Sequence, residues 1–341
     1  MVISKPLYVG LEELKEYLGI SSATKNDRMI ILTSAISRFI ENYTGRKFYP
    51  KTETKKYDWQ DSFFLEVDDL LSVISLKDNR GDRTIDNSYL FFEPVNSPPY
   101  SRIIIDYTKG YFSYDGFREQ AIQVDGVWGY CDNRLDTGIT SPRLTEDDKE
   151  MDINDGSKLD VGWLTLIEDE RIFISDISSI DSTVNTSSAL DDYQTNIPVD
   201  TPSLIKVGEI IRINDENMKV LRIDSSSLNV IRGYEGTTPM SHNIAQDVYV
   251  YRKLTIERGM FGSTASIHPL GKVIYRLSPP SDIIYATGVL VARANKRSDS
   301  GWSDFTTLGG EGQGTIMYSR IMPSEVNSIL EGYVRRYISS I

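Results

Sequence analysis

Leu228-Asn-Val-Ile-Arg232-Gly233-Tyr-Glu-Gly236-Thr-Thr238-Pro-Met-Ser-His242 is followed by Leu254-Thr-Ile-Glu-Arg258-Gly259-Met-Phe-Gly262-Ser-Thr264-Ala-Ser-Ile-His268. Leu, Arg-Gly, Gly, Thr and His recur at a spacing of about 26 residues, a self-similarity that marks a repeated structural unit. Each copy leads into an apolar segment, Val248-Tyr-Val-Tyr251 and Val273-Ile-Tyr275. The only two histidines of the chain hold the same place in both copies. The pair is either a site or a way of building two similar turns.

The residue types favour turns. Zinc needs three or four His, Cys or acidic ligands at ligand spacing, and one distant cysteine, Cys131, does not supply them. A nucleophilic triad needs a hydroxyl, a base and an acidic orienter, and Ser241 beside His242 does not make that geometry. Arg232, Gly236, His242, Arg258, Gly262 and His268 are therefore read as structural turn residues. Each histidine is expected to close its own Arg-Gly-x-x-Gly-Thr loop by hydrogen bonding within it. The glycines take backbone angles closed to other residues.

Working outward, Gly208-Glu-Ile-Ile-Arg-Ile-Asn214-Asp-Glu-Asn217-Met-Lys-Val reads as a hairpin turning at residues 214–217. Before it, residues 133 to about 200 are rich in Asp, Ser, Thr and Asn, with Trp163-Leu-Thr-Leu and Arg171-Ile-Phe-Ile as strands. Residues 133–275 carry about 23 acidic and 14 basic side chains, so most of the net charge of -12 lies there. They are read as one all-β insertion domain.

The flanks read differently. Leu11, Leu14 and Leu18 repeat at helical spacing before Gly19. A second helix spans 27–44, with Asn26 as its expected cap and Gly45 as its end. Residues 51–130 hold short strands such as Phe63-Phe-Leu-Glu-Val and Arg102-Ile-Ile-Ile-Asp, separated by turn residues. Helix returns after Pro279-Pro280 and again from Pro323, where Val326, Ile329, Leu330, Tyr333, Val334, Tyr337, Ile338 and Ile341 form one stripe. Neither flank can bury its apolar faces alone. The expected fold is α+β: a mainly helical domain of residues 1–132 and 276–341 with a small antiparallel sheet, interrupted by the β insertion.

Other chemistry is thinly supported. Asp152-Ile-Asn154-Asp155-Gly156 has calcium-loop residues, but the spacing is off by one and no glutamate stands at the twelfth position. The glycines at 309–314 lack a following Lys-Ser/Thr and are not a phosphate loop. Forty-nine acidic residues against 37 basic argue against a surface that grips DNA phosphates. No signal peptide opens the chain and no apolar run approaches the ~18 residues that span a bilayer. The expectation is a soluble protein made in a cytoplasm, not an enzyme, without metal or cofactor and without a membrane.

The flanks resemble the phage head–tail connector, or portal adaptor, family. The resemblance rests on Leu11-Glu-Glu-Leu-Lys-Glu-Tyr-Leu18 with the helix ending Phe39-Ile-Glu-Asn-Tyr-Thr44-Gly45-Arg46-Lys-Phe-Tyr-Pro50; on Val127-Trp128-Gly129-Tyr130; on Pro279-Pro280-Ser-Asp-Ile283 with Ala286, Ala292 and Lys296-Arg297; and on Leu308-Gly309 with residues 323–336. In shorter members the second stretch runs almost directly into the third. The insertion is similar to a small β module recurring in phage virion proteins. The resemblance implies a structural virion protein, made in the bacterial host cytoplasm. It implies a homo-oligomeric ring, dodecameric like the portal, that attaches below the portal, extends the DNA channel and docks tail or stopper proteins. Double-stranded DNA would pass without specific recognition. Residues 323–341 map onto the portal-docking helix, with Val326, Leu330, Tyr333, Val334, Tyr337 and Ile338 as docking residues. Two alternatives stand beside this one. The insertion can be a tail-side module that recognises a fibre, a capsid protein or a host glycan. Some adaptors of short-tailed phages also degrade peptidoglycan, which needs two carboxylates about 5–9 Å apart in a cleft.

Overall fold

The computed structural model describes residues 5–299, 305–307, 315–317 and 322–335. Two helices open it, α1 (Leu11–Leu18) and α2 (Asn26–Thr44), at the positions their apolar spacing predicts, and both end in a left-handed glycine. Asn26 is not the cap of α2. A 3-10 turn, Ala23–Lys25, runs straight into the helix, and the Ser22 hydroxyl caps that turn by accepting from the Thr24 N–H.

Six strands follow: β1 (Lys51–Tyr57), β2 (Phe64–Asp78), β3 (Arg83–Ile85), β4 (Leu90–Glu93), β5 (Tyr100–Ile105) and β6 (Ile122–Trp128). They form one antiparallel sheet in the order β1-β6-β2-β5-β4, with β3 on β2. Alternating residues of these strands, Leu65, Val67, Leu76, Ile103, Ile105, Ile122, Val124 and Trp128 among them, close a core of their own.

The next ten strands make a second antiparallel sheet. They are β7 (Arg134–Thr140), β8 (Glu150–Asp152), β9 (Leu164–Ile167), β10 (Glu170–Asn185), β11 (Asn196–Pro198), β12 (Ile210–Ile213), β13 (Glu216–Ile223), β14 (Ser227–Tyr234), β15 (Asp247–Glu257) and β16 (Val273–Leu277). Their order is β11-β14-β13-β12-β15-β10-β9-β16-β7, with β8 on β15. The chain then forms α3 (Ser281–Asp299), the short pair β17 (Phe305–Thr307) and β18 (Thr315–Met317), and α4 (Ser324–Tyr333).

The larger sheet contains one unit twice. β9 and β10 join at the pair Ile167↔Glu170, as β12 and β13 join at Ile213↔Glu216. The two stretches Val161-Gly-Trp-Leu-Thr-Leu-Ile-Glu-Asp-Glu170 and Val207-Gly-Glu-Ile-Ile-Arg-Ile-Asn-Asp-Glu216 stand about 46 positions apart. β8 pairs with β15 as β11 pairs with β14, and β9 pairs with β16 as β12 pairs with β15. Leu144 bridges His268 as Leu190 bridges His242. The second unit is nested in the first, because it occupies the excursion between β10 and β15. Those two strands are long enough to serve both. Ile172, Ile174, Leu254 and Ile256 lie in the core of the first unit, while Val184, Val248 and Val250 lie in the core of the second.

The helices do not form a core by themselves. Leu14, Met29, Ile40, Ile283, Val291, Val326 and Leu330 pack with Leu164, Leu166, Phe173 and Leu277 from the outer face of the first β unit. This overturns the expectation of a mainly helical domain with a small sheet. Two antiparallel sheets, of six and ten strands, dominate the molecule, and the helices are a layer laid over one of them. The physical reason is area: short helices with one apolar stripe each need a sheet face to cover. The face that they cover is apolar in the first unit. In the second unit the corresponding positions are Ile210, Arg212 and Lys219, all partly exposed, and α1 meets that face through polar contacts, Lys219 with Glu16 and Tyr234 with Glu12.

Candidate functional site

The repeated turns are built around two buried glutamates. Glu216 opens β13 and Glu170 opens β10, each directly after a two-residue hairpin turn. Glu216 Oε1 accepts from Arg232 Nε (2.6 Å) and from the Gly233 N–H (3.1 Å). Its Oε2 accepts from Arg232 Nη2 (2.7 Å), the Met240 N–H (3.1 Å) and His242 Nε2 (2.9 Å). Glu170 repeats this set. Oε1 accepts from Arg258 Nε (2.7 Å) and the Gly259 N–H (3.0 Å). Oε2 accepts from Arg258 Nη2 (2.7 Å), the Ser266 N–H (3.0 Å) and His268 Nε2 (2.8 Å). The carboxylates and imidazoles are almost wholly shielded from water.

Burial alone would raise both glutamates. The arginine, the histidine and two backbone N–H groups outweigh it and hold each below the usual carboxylate range. Each arginine also donates to carbonyls: Arg232 to Asp191, Gln194 and Met240, and Arg258 to Thr145 and Ser266. A charge buried with all its partners in place is strongly costly to break by halves, about 3–5 kcal/mol when one member is removed. The two histidines were expected to bond within their own loops. They bond instead to a glutamate on another hairpin, the same carboxylate that pairs with the arginine of their own loop.

The braced turns are mounts. Gly262 (φ 76°) lies so close to β1 that a side-chain carbon there would come within 1.9 Å of the Thr52 carbonyl. Gly236 (φ 79°) abuts the Ser22 side chain less tightly, with 2.9 Å from its hydroxyl to the place of a side-chain carbon, and the Ala23 N–H donates to the Glu235 carbonyl at 3.0 Å. Thus the turn of the first unit meets the six-stranded sheet and the turn of the second unit meets the start of α2. A third pair ties the units to each other. Glu209 accepts from Arg252 Nε (2.6 Å) and Nη2 (2.8 Å) and from the Gly156 N–H (2.8 Å).

A cleft of about 640 Å³ lies where α1 meets both units, lined by Glu12, Glu13, Glu16, Asp160, Lys219 and Glu235 among others. Asp160 is pushed up to about 7, first by burial and then by Glu12 and Glu13, against the pull of two backbone N–H groups. A raised carboxyl in a cleft is a mark of acid–base chemistry. Here its oxygens accept from the Glu12 N–H (3.1 Å) and the Glu13 N–H (3.0 Å), so it caps α1 from outside the helix. Within α1, Lys15 is fully buried between Glu12 (2.5 Å) and Glu235 (3.3 Å). The cleft is a joint with α1 as its pin.

The remaining sequence candidates fall as follows. Arg232, Gly236 and His242 converge on one brace or its mount, and Arg258, Gly262 and His268 on the other. Residues 152–156 run from the end of β8 into a 3-10 turn, Gly156–Lys158, that Asp155 caps by accepting from the Ser157 N–H, and no cluster of metal-ligating side chains occurs among the described residues. Val326 and Leu330 are fully buried in the core described above; Tyr333 is half-buried and donates to both Asp282 oxygens at 2.8 Å; Val334 is half-buried. Tyr337, Ile338 and the glycines at 309–314 lie outside the described residues. Sequence reasoning missed Glu170, Glu216 and Asp160. The Asp-Glu that ends each hairpin, repeated about 46 residues apart, was the available signal for the first two. No protein-family model matches this chain, and no curated protein matches it in sequence.

Proposed function

We propose that this chain is a structural virion protein, the subunit of a head-to-tail adaptor ring that attaches below the portal, prolongs the DNA channel and docks tail components. One observation supports the reading above the rest. The four sequence stretches that carry the resemblance to connectors are far apart in the chain, and three of them meet at a single aromatic cluster. Phe48 touches Tyr130 and Tyr333 at ring distances of 5.5 and 5.4 Å, and Tyr130 touches Tyr333 at 5.0 Å. Arg46 stacks on Tyr130 and donates to the Tyr333 carbonyl. Residues 46–50, 127–130 and 323–335 thus belong to one packed unit, as a shared architecture requires. Fold analogy alone does not establish function, so the reading stands on a binding test. The purified chain, mixed with its portal, should co-sediment with it. Removal of residues 336–341 should weaken that attachment without lowering thermal stability, since Val326 and Leu330 remain in the core. A chain that never co-sediments contradicts the reading.

A second reading has its own support. Ile244 and Leu270 occupy equivalent places after the two histidines and are 60% and 78% exposed. Paired apolar tips suit recognition of a tail, fibre or capsid protein by the β insertion. The changes Ile244→Asp and Leu270→Asp should leave portal attachment intact and abolish recruitment of the tail-side partner. Loss of neither contradicts this role.

A further inference from the structure

Every arginine in the two braces has its carboxylate, and so has Arg252. Arg171 does not. It is 8% exposed. Its Nη1 donates to Thr52 Oγ1 (3.1 Å) and reaches the Phe261 carbonyl at 3.4 Å. Its Nε is buried without a hydrogen-bond partner. Among the described residues it forms no ion pair. Burial, with Arg134, pulls it below the usual guanidinium range, and the more distant charges of Asp132 and Asp169 offset this only in part. The fold does not require an arginine there, because the corresponding residue of the second unit is Asn217, which donates to Glu235 at 2.8 Å.

The guanidinium lines a cleft of about 600 Å³ between the two sheets, with Ser72, Asn133, Arg134, Asp132 and Asp169 also on its walls. Asp132 is engaged by Arg134 at 2.6 Å. Asp169 sits exposed in the turn between β9 and β10. A buried cation with no carboxylate in direct contact is a standing cost that an incoming anion lowers. Guanidinium nitrogens also match carboxylate and phosphate oxygens in geometry.

We propose that this cleft is an oxyanion site in which Arg171 binds a carboxylate or phosphate group, with Ser72 and Asn133 as further donors at the rim. The group comes either from a free anion or from an acidic side chain of a second copy of this chain; the latter source rests on the ring reading above.

The test is thermal unfolding of the full chain in inorganic phosphate, against chloride at equal ionic strength. The wild type should rise by about 2–4 °C. Arg171→Met, which keeps the volume and removes the charge, should not respond, and should start at or above the wild-type temperature. Asp169→Asn, a change in an exposed turn, carries the test if Arg171→Met does not fold. It removes a repelling charge and should move the phosphate titration to several-fold lower concentration. Sedimentation velocity separates the two sources. With a second copy as donor, the wild type self-associates, phosphate reverses it and Arg171→Met abolishes it. With a free anion as donor, the chain keeps one size while the phosphate response persists. Equal phosphate responses in wild type and Arg171→Met overturn the proposal. So does an Asp169→Asn titration that does not move. Absence of both a phosphate response and Arg171-dependent association overturns it as well.

Discussion

Glu170 and Glu216 each hold five hydrogen-bond donors that would otherwise lie buried and unpaired. Replacing either by Gln keeps the shape and removes the charge that neutralises an arginine, so a loss of about 3–5 kcal/mol is expected in denaturant unfolding. Their pH dependence has a definite sign. Both are held below the ordinary range in the folded chain. They therefore contribute stability above the unfolded-state value, and it is lost as pH falls through the folded one. Asp160 runs the other way. Pushed up to about 7, it binds a proton in the folded chain while it is ionised in the unfolded one, so its contribution declines as pH rises from about 4 to 7. Asp160→Asn should flatten the stability profile in that window and leave the acid limb unchanged. A profile with the same slope in wild type and variant would show that the two backbone N–H groups dominate burial at this site.

The mounts should differ in strength. Gly262 faces the backbone of β1, whereas Gly236 faces the far end of a serine side chain at 2.9 Å. Both have positive φ, so both resist a side chain, but only Gly262→Ala must displace a strand. It should lower the unfolding temperature more than Gly236→Ala, and differential scanning calorimetry resolves the order. Nesting gives a further expectation. Replacing residues 182–248 by a two-residue turn at the Asp181↔Tyr249 pair should leave a folded chain with the Glu170 brace intact, as read by near-ultraviolet circular dichroism. It should also loosen α1, which loses Glu235 and Tyr234. Helices and strands were legible in the sequence because period and turn residues are local signals; Leu11, Leu14 and Leu18 needed nothing else. The repeat of Arg, Gly and His was legible for the same reason. The balance of the fold was not. Whether Leu164, Leu166 and Phe173 face their own core or a helical layer depends on what packs there, and alternation is the same in either case. The role of the histidines was half legible: their recurrence marked them as turn residues, but a partner about 26 or 98 residues upstream leaves no mark on the loop itself.

On the scale of the molecule, the two sheets and the helical layer are fastened by buried charge pairs and glycine contacts. That construction suits a part that transmits position and load. Asp160 and the two brace glutamates all take part in it, each accepting hydrogen bonds from another element. The acidic balance of -12 is consistent with a surface that lets DNA pass without holding it. Closed rings form from head-to-tail contacts whose rotation closes, so the proposed adaptor role requires assembly on a symmetric template. The most direct test is electron microscopy of the purified chain mixed with its portal. The account predicts class averages with an added annular layer on one face of the portal, coaxial with its channel. Portals that remain bare beside monomers, at concentrations well above those of other virion contacts, would contradict it.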